Sequence, residues 1–258
     1  MKGKIVSVHS FRGGTGKSNV TANLAAQMAM TGKRVGVVDT DIQSPGIHAL
    51  FGLDEKKMGK TMNDYLHEQA TIREIGYSIG EHPGTAEGCS KLAGKNLWLF
   101  PSSIKAGEIA RILREGYDVG LLNDGFRDVI ERLKLDYLLI DTHPGLNEET
   151  LLSIAISNAL IIIMRPDQQD YQGTAVTVDV AKKLDVPKLF ILVNKAPSNL
   201  DFEEVRARVE QTYEAKVGAI LPHSDEMMML ASSGLFTIHY PDNVVTKGLR
   251  NLVDLLKS

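Results

Sequence analysis

The chain has 258 residues, with 29 basic against 32 acidic side chains and a formal net charge of -3. This length suits one domain with a large core, and the charge balance excludes a protein-wide positive field that would attract nucleic acid or anionic lipid. The single cysteine, Cys89, excludes an internal disulfide and a CxxC metal pair within one chain. The N-terminal apolar run is too short for a signal-peptide core and no segment reaches about 18 apolar residues, so we expect a cytoplasmic protein.

Short apolar segments rich in Val, Ile and Leu alternate with amphipathic segments along the chain. This alternation predicts a single α/β domain over residues 1–258, with a mostly parallel twisted sheet and helices on both faces. The predicted strands are Ile5–Val8, Val35–Val38, Leu97–Phe100, Tyr137–Ile140, Leu160–Met164, Leu189–Val193 and Val217–Ile220. The predicted helices include Asn19–Met30, Val119–Leu133 and Phe202–Thr212. Ligands are then expected beyond the carboxyl ends of the strands.

Residues 54–96 fit this alternation least well. The segment is rich in glycine and charge, and it contains His82-Pro83-Gly84. We therefore expect short helices and loops that elaborate one face of the domain.

A glycine-rich loop follows the first predicted strand and reads SFRGGTGKS from Ser10 to Ser18. Its glycines let the backbone N–H groups face phosphate oxygens, and the N-terminus of the next helix adds its positive dipole end. Lys17 would bridge the β and γ phosphates, and the Ser18 hydroxyl would ligate magnesium. The strict P-loop pattern requires glycine where this chain has Phe11. The residues expected to cradle the phosphates are Gly13, Gly14, Thr15, Gly16, Lys17, Ser18 and Asn19.

These motifs resemble those of the MinD/ParA family of deviant Walker A P-loop ATPases. The family carries K-G-G-x-G-K-[ST], and this chain has Arg12 in place of the signature lysine. Residues 35–41 resemble the family's strand that ends in Asp-x-Asp, and residues 44–48 resemble its first switch. Residues 138–145 resemble its Walker B strand with the second switch. Residues 193–195 and 221–222 resemble its two base-binding loops. The resemblance implies a P-loop NTPase fold for almost the whole chain.

Three aspartates stand at the ends of predicted strands, where a magnesium site is expected. Asp39 and Asp141 each end an apolar strand and would hold the metal through its water ligands. Asp41 lies on the same side of an extended strand as Asp39. The resemblance implies that Asp41 orients or deprotonates the attacking water, and that Arg12 reaches the phosphates of a partner subunit. The alternatives are helix-capping or loop roles for the aspartates and, for Arg12, a side chain that points to solvent or pairs with a carboxylate of its own subunit.

The nucleotide base is expected to be adenine. The sequence at the first base-binding loop is Asn194-Lys195-Ala196-Pro197, so the guanine-reading aspartate of N-K-x-D is replaced by Pro197. The amide of Asn194 can pair with adenine through one acceptor and one donor. Lys195 and Pro222 belong to the same two loops. Of the seven histidines, none has ligand spacing, and His143 in the second switch is expected to be a loop-packing residue.

The resemblance implies a homodimerising ATPase switch that uses ATP and Mg²⁺. ATP would join two subunits, and slow, partner-stimulated hydrolysis to ADP and phosphate would separate them, so that the cycle positions or regulates a cellular cargo with the help of a regulatory protein. Two alternatives stay open. One is a metal-cofactor maturation ATPase, although the related enzymes display paired cysteines and this chain has Cys89 alone. The other is an ATP-binding scaffold with negligible hydrolysis, which the substitution at Arg12 keeps open.

Two features bear on a DNA or membrane surface. The segment Val244–Lys257 is amphipathic at helical spacing, but it carries Asp254 and no aromatic residue, so we expect it to pack against the sheet. A nucleic-acid surface needs clustered basic side chains. The candidates are Lys56, Lys57, Arg206, Arg208 and Arg250.

The loop sequence around Pro197 predicts the nucleotide preference. We expect Mg-ATP to bind at least about tenfold more tightly than Mg-GTP, because guanine loses the charged hydrogen-bond partner that would identify it. Isothermal titration with both nucleotides measures this ratio. Equal affinities would refute the adenine assignment.

Overall fold

The computed structural model describes residues 3–82, 87–92 and 94–258. Its apolar segments form one eight-stranded sheet in the order β3-β4-β2-β5-β1-β6-β7-β8. The strands are β1 (Lys4–His9), β2 (Val35–Asp39), β3 (Tyr77–Ser78), β4 (Leu97–Phe100), β5 (Tyr137–Asp141), β6 (Ala159–Met164), β7 (Leu189–Ala196) and β8 (Lys216–Pro222). Every neighbouring pair is parallel except β3 with β4 at the edge. The predicted fold class is confirmed.

Helices cover both faces of the sheet. They are α1 (Lys17–Met30), α2 (Ile47–Leu50), α3 (Met62–Leu66), α4 (Ala106–Glu115), α5 (Gly120–Arg132), α6 (Glu148–Ala155), α7 (Gln168–Lys183), α8 (Phe202–Tyr213), α9 (Asp225–Leu230), α10 (Phe236–His239) and α11 (Val244–Lys257). On one face of the sheet, alternate strand side chains pack against α1, α2, α10 and α11. On the opposite face, the remaining strand side chains pack against the helices from α3 to α8. Burial on both faces explains why the strands read as continuous apolar runs.

The segment 54–96 contains short elements, as expected, and one unexpected strand. Besides α3 it holds two short 3-10 helices, Glu55–Lys57 and Glu87–Leu92. Its strand β3 extends the sheet by pairing with β4. Two residues are too few to show an alternating pattern, so β3 had no sequence signal. Pro83 and Gly84 lie outside the described residues.

The C-terminal helix α11 packs on the sheet and on α1. Its apolar side chains Leu249, Leu252 and Leu256 are buried in the core on that face. In the part of the chain that the structure describes, no helix has the length and apolar character needed to cross a bilayer.

Three of the basic candidates for a nucleic-acid surface lie on opposite faces of the sheet. Arg206 and Arg208 lie on α8, whereas Arg250 lies on α11 on the opposite face of the sheet. Arg206 and Arg208 are also paired with Glu210 and Glu204 on their own helix.

Leu252 tests the packing of α11. The side chain is fully buried and lies so close to Gly218 of β8 that a Cβ on this glycine would be 2.6 Å from Leu252 Cδ1. We expect Leu252→Ala to lower the free energy of unfolding by about 2 to 5 kcal/mol through lost burial and a residual cavity. The control is Leu113→Ala, because Leu113 is 59% exposed on α4 and should cost less than about 0.5 kcal/mol. Chemical denaturation measures the free energy of unfolding of both variants. Similar decreases for the two would contradict this packing.

Candidate functional site

The glycine-rich loop connects the end of β1 to the start of α1, at the carboxyl edge of the sheet. Gly14 and Gly16 have φ angles of 76° and 94°, in the left-handed region that favours glycine. A Cβ on Gly16 would also lie only 2.5 Å from Asn194 Nδ2. Two independent constraints therefore require glycine at position 16, and α1 begins directly after it at Lys17, two residues before the predicted start.

The first predicted base-binding loop holds this glycine-rich loop from the side. Asn194 Nδ2 donates a hydrogen bond to the Thr15 carbonyl at 2.7 Å, and Lys195 Nζ donates to the Gly14 carbonyl at 2.8 Å. Lys195 has a φ of 54°, an unfavourable region for a lysine. Sequence reasoning assigned Asn194 and Lys195 to base reading and missed these contacts. Pro222 of the second loop is half-buried at the end of β8.

Lys17 is buried between two of the predicted carboxylates. Its Nζ donates to Asp141 Oδ1 at 2.9 Å and lies 3.9 Å from Asp41 Oδ2. The Thr21 hydroxyl donates to the same Asp141 oxygen at 3.2 Å. Lys17 is 7% exposed. The structure thus brings together the lysine of the phosphate loop and the ends of two strands, as the motifs predict.

Asp39 lies beside Asp141 because β2 and β5 are parallel neighbours in register at these two residues. Asp39 Oδ1 accepts a hydrogen bond from the Asp41 N–H at 3.0 Å. Burial, followed by the nearby Asp141 carboxylate, raises the pKa of Asp39 well above its usual value. Burial likewise raises the pKa of Asp41. A cation at this place would relieve the repulsion between the carboxylates.

Several buried oxygens of the site have no hydrogen-bond partner and are available to a magnesium–nucleotide complex. Asp39 Oδ2, Asp141 Oδ2 and Thr15 Oγ1 are buried without a hydrogen-bond partner. Carboxylate oxygens are the ligands that Mg²⁺ or its waters take. Ser18 is half-buried in the first turn of α1, beside Lys17. Within the described ranges no three His, Cys, Asp or Glu side chains form a metal-binding group by themselves.

Arg12 is paired with carboxylates of its own chain. Its Nη1 lies 3.3 Å from Asp170 Oδ1 and 3.7 Å from Asp167 Oδ1. Arg165 Nε also donates to Asp170, at 3.1 Å. Burial opposes ionisation of Asp170, but the hydrogen bonds from Arg165 outweigh it and lower the pKa of this carboxyl. Sequence reasoning missed Asp167, Asp170 and Arg165, although an aspartate after a strand that ends in Arg-Pro is a helix-cap signal.

Two histidines flank the acidic cluster. His9 Nδ1 lies 2.8 Å from the Thr142 hydroxyl oxygen, and this hydroxyl donates to the Val8 carbonyl. Burial and then the charge of Lys17 lower the pKa of His9 to about 3, so His9 is neutral. His143 Nε2 lies 3.8 Å from Asp41 Oδ1. The expectation that His143 only packs a loop is therefore incomplete.

The chain is similar to several known proteins. Residues 3–189 match the family model described as an AAA domain. An ATP-binding protein of Methanocaldococcus jannaschii, itself of uncharacterised role, is 26% identical over 96% of this chain and 85% of that protein. An iron-sulfur cluster carrier protein of Clostridium perfringens is 30% identical over 74% of this chain, which spans 63% of the carrier.

The fold is also found among solved structures. The septum site-determining protein MinD of Pyrococcus horikoshii, complexed with Mg-ADP, superposes with a TM-score of 0.80 at 19% identity, covering 99% of this chain and 96% of that chain. Because the family model matches well over half of its residues, the chain belongs to the AAA domain family of P-loop ATPases, and its resemblance to the MinD/ParA ATPases is confirmed.

Proposed function

We propose that this protein is an ATP-dependent dimerising switch, which hydrolyses ATP slowly under the control of a partner protein and so positions or regulates a cellular cargo in the cytoplasm. The observation that carries the proposal is Lys17, buried at the end of a glycine-rich loop between Asp41 and Asp141. A buried ammonium that already faces carboxylates is ready to exchange one of them for a phosphate. The relatives named for ATP binding and for Mg-ADP support the choice of nucleotide and metal.

Each site residue has a role in this proposal. The backbone from Gly13 to Asn19 cradles the phosphates, with Lys17 as the charged donor. Ser18, Asp39 and Asp141 would hold Mg²⁺, which supplies charge neutralisation between the β and γ phosphates. Asp41 accepts a hydrogen bond from the attacking water, and its raised pKa makes this carboxylate a stronger base. Asn194, Lys195 and Pro222 would lie beside the adenine, with Asn194 and Lys195 also holding the glycine-rich loop.

Dimerisation would change the partners of Arg12. In the single chain its guanidinium is held by Asp167 and Asp170. We propose that, in the ATP-bound dimer, it leaves these carboxylates and contacts the phosphates of the partner subunit, since a planar guanidinium suits bidentate phosphate binding. Arg12 itself is 39% exposed, and the buried carboxylate of Asp170 keeps its ion pair with Arg165 when Arg12 leaves.

An apolar surface next to Arg12 supports a second copy as the dimer partner. Phe11 packs directly on Gly173 of α7, and Val176 follows one turn later on the same helix face. Phe11 is 37% exposed and Val176 is 48% exposed. Exposed apolar side chains beside a charged contact are typical of the centre of an interface.

The alternative of metal-cofactor maturation is supported by the relatives named iron-sulfur cluster carriers. The thiol of this chain does not suit that role. Cys89 is 1% exposed, its Sγ donates to the Phe51 carbonyl, and burial raises its pKa to about 11. A thiol that stays protonated inside a core is a poor metal ligand. The relatives support both proposals; we put the switch first because of this thiol, and a cluster would need ligands other than it.

Substitutions of Lys17 and Asp41 test the proposed nucleotide chemistry. Lys17→Ala should weaken ATP affinity by about 30-fold or more, because it removes a buried charged hydrogen bond worth roughly 2 kcal/mol. Asp41→Ala should bind ATP but lose about 100-fold or more in turnover, and accumulate as an ATP-bound dimer. Titration calorimetry, phosphate release and light scattering measure these results, with Lys183→Ala on the exposed end of α7 as control. A monomeric Asp41→Ala protein at saturating ATP would argue against the switch, and absent turnover in the wild type would favour the scaffold.

Substitution of Arg12 tests its proposed role in trans. Arg12→Ala should still bind ATP through the intact cradle and Lys17, but should neither dimerise nor turn over, and arginine devices of this kind are worth on the order of 10³ to 10⁵ in rate. Mixing Arg12→Ala with Asp41→Ala produces one site in which an intact Asp41 faces an intact Arg12, so part of the activity should return. Full activity of Arg12→Ala alone, or no recovery in a demonstrated heterodimer, would show that Arg12 works within its own subunit.

A further inference from the structure

His143 lies in the second switch with one ring nitrogen directed toward the acidic cluster. Its Nδ1 is 2.6 Å from the Pro144 carbonyl oxygen. A carbonyl oxygen only accepts hydrogen bonds, so this short contact is made by an Nδ1–H group. When the imidazole carries this one ring proton, Nε2 is an acceptor with a free lone pair.

This lone pair faces another acceptor. Nε2 lies 3.8 Å from Asp41 Oδ1, too far for a direct hydrogen bond. Asp41 Oδ1 accepts one hydrogen bond, from the Ser44 N–H at 3.1 Å, and its remaining lone pair is available. Two acceptors that face each other need a donor between them, and water carries two O–H groups.

The gap has the right width for one water molecule. A water oxygen about 2.8 Å from both acceptors would see them at an angle of about 85°, close to the angle between its own O–H bonds, so both hydrogen bonds stay nearly linear. The two side chains are only partly buried, at 22% exposure for His143 and 12% for Asp41, so water has access. With both protons directed at the protein, the lone pairs of this water point away from Asp41 and His143.

A water in this gap would lie near the lysine of the phosphate loop. Asp41 joins the two, because its Oδ1 faces His143 while its Oδ2 lies 3.9 Å from Lys17 Nζ. Lys17 is the side chain expected to contact the β and γ phosphates. A water fixed at Asp41 is therefore on the side of the cluster where the γ phosphorus would lie.

We propose that His143 is a further catalytic residue, which together with Asp41 holds the attacking water by accepting one of its two hydrogen bonds. The inference rests on the proposed ATP hydrolysis. In the step itself the water oxygen forms a bond to the γ phosphorus, the bond from this phosphorus to the bridging oxygen breaks with its electron pair left on ADP, and one water proton passes to Asp41. His143 takes no proton and fixes the direction of the oxygen lone pair.

Buried contacts below the switch hold His143 in place. The hydroxyl of the neighbouring Thr142 donates to the Val8 carbonyl and accepts a hydrogen bond from His9 Nδ1, and Thr150 donates to the His143 carbonyl at 3.3 Å. The backbone at position 143 is thus tied to β1 and to α6. A fixed backbone lets the ring direct Nε2 without a large entropic cost.

Two amide substitutions separate the acceptor role from simple packing. The side-chain oxygen of glutamine reaches the position of Nε2, whereas that of asparagine reaches only the position of Nδ1. We expect single-turnover ATP hydrolysis by His143→Gln to stay within about fivefold of the wild type and that of His143→Asn to fall about 100-fold, the scale of a misplaced reactant. Both variants should keep their ATP affinity within about twofold, since neither touches the phosphate cradle. His239→Asn, at an exposed position on α10, is the matched control.

The measurement uses the full chain in excess over radiolabelled ATP with Mg²⁺, followed over hours so that no partner protein is needed. Equal rates for His143→Gln and His143→Asn, with unchanged unfolding midpoints, would overturn the role of His143 while leaving ATP hydrolysis intact. No hydrolysis by the wild type would overturn the proposed function, and this inference with it.

Discussion

The buried ammonium of Lys17 connects the parts of the chain that form the site. It joins the first turn of α1 to the ends of β5 and β2, through Asp141 at 2.9 Å and the more distant Asp41. Without this positive charge the two carboxylates and Asp39 would be confined together in a poorly solvated space, which is costly. In the proposed complex a phosphate would bind the same ammonium group. Nucleotide binding must therefore replace the ion pair that stabilises the site without nucleotide.

The sheet makes this arrangement rigid. The parallel register of β1, β2 and β5 places Val8, Asp39 and Asp141 side by side, so that the loops following the three strands share one edge. From the other side, Asn194 and Lys195 hold the glycine-rich loop by its carbonyls. Arg12 and His143 are more exposed. In the proposed cycle, Arg12 exchanges its carboxylate partners for phosphates and His143 gains a hydrogen bond from water.

Much of the fold and part of the site follow from the sequence. Runs of Val, Ile and Leu buried on both faces predicted seven strands, because such runs are typical of parallel sheets. The motifs predicted that Lys17, Asp41 and Asp141 lie at one site, and the structure brings these residues together. The contacts of Asn194 with Thr15 and of Arg12 with Asp170 join residues more than 150 positions apart, and such contacts depend on how loops meet after packing, which no local pattern records.

In the proposed switch, ATP binding controls the association of this chain with itself, and hydrolysis reverses that association. The most direct measurement follows the solution mass of the wild-type protein by light scattering after one addition of Mg-ATP, with phosphate release recorded in the same sample. We expect a mass that doubles on addition and returns to the monomer value when phosphate release shows that the ATP is exhausted. A mass that never rises, or one that stays doubled after all ATP has been converted to ADP, would contradict it.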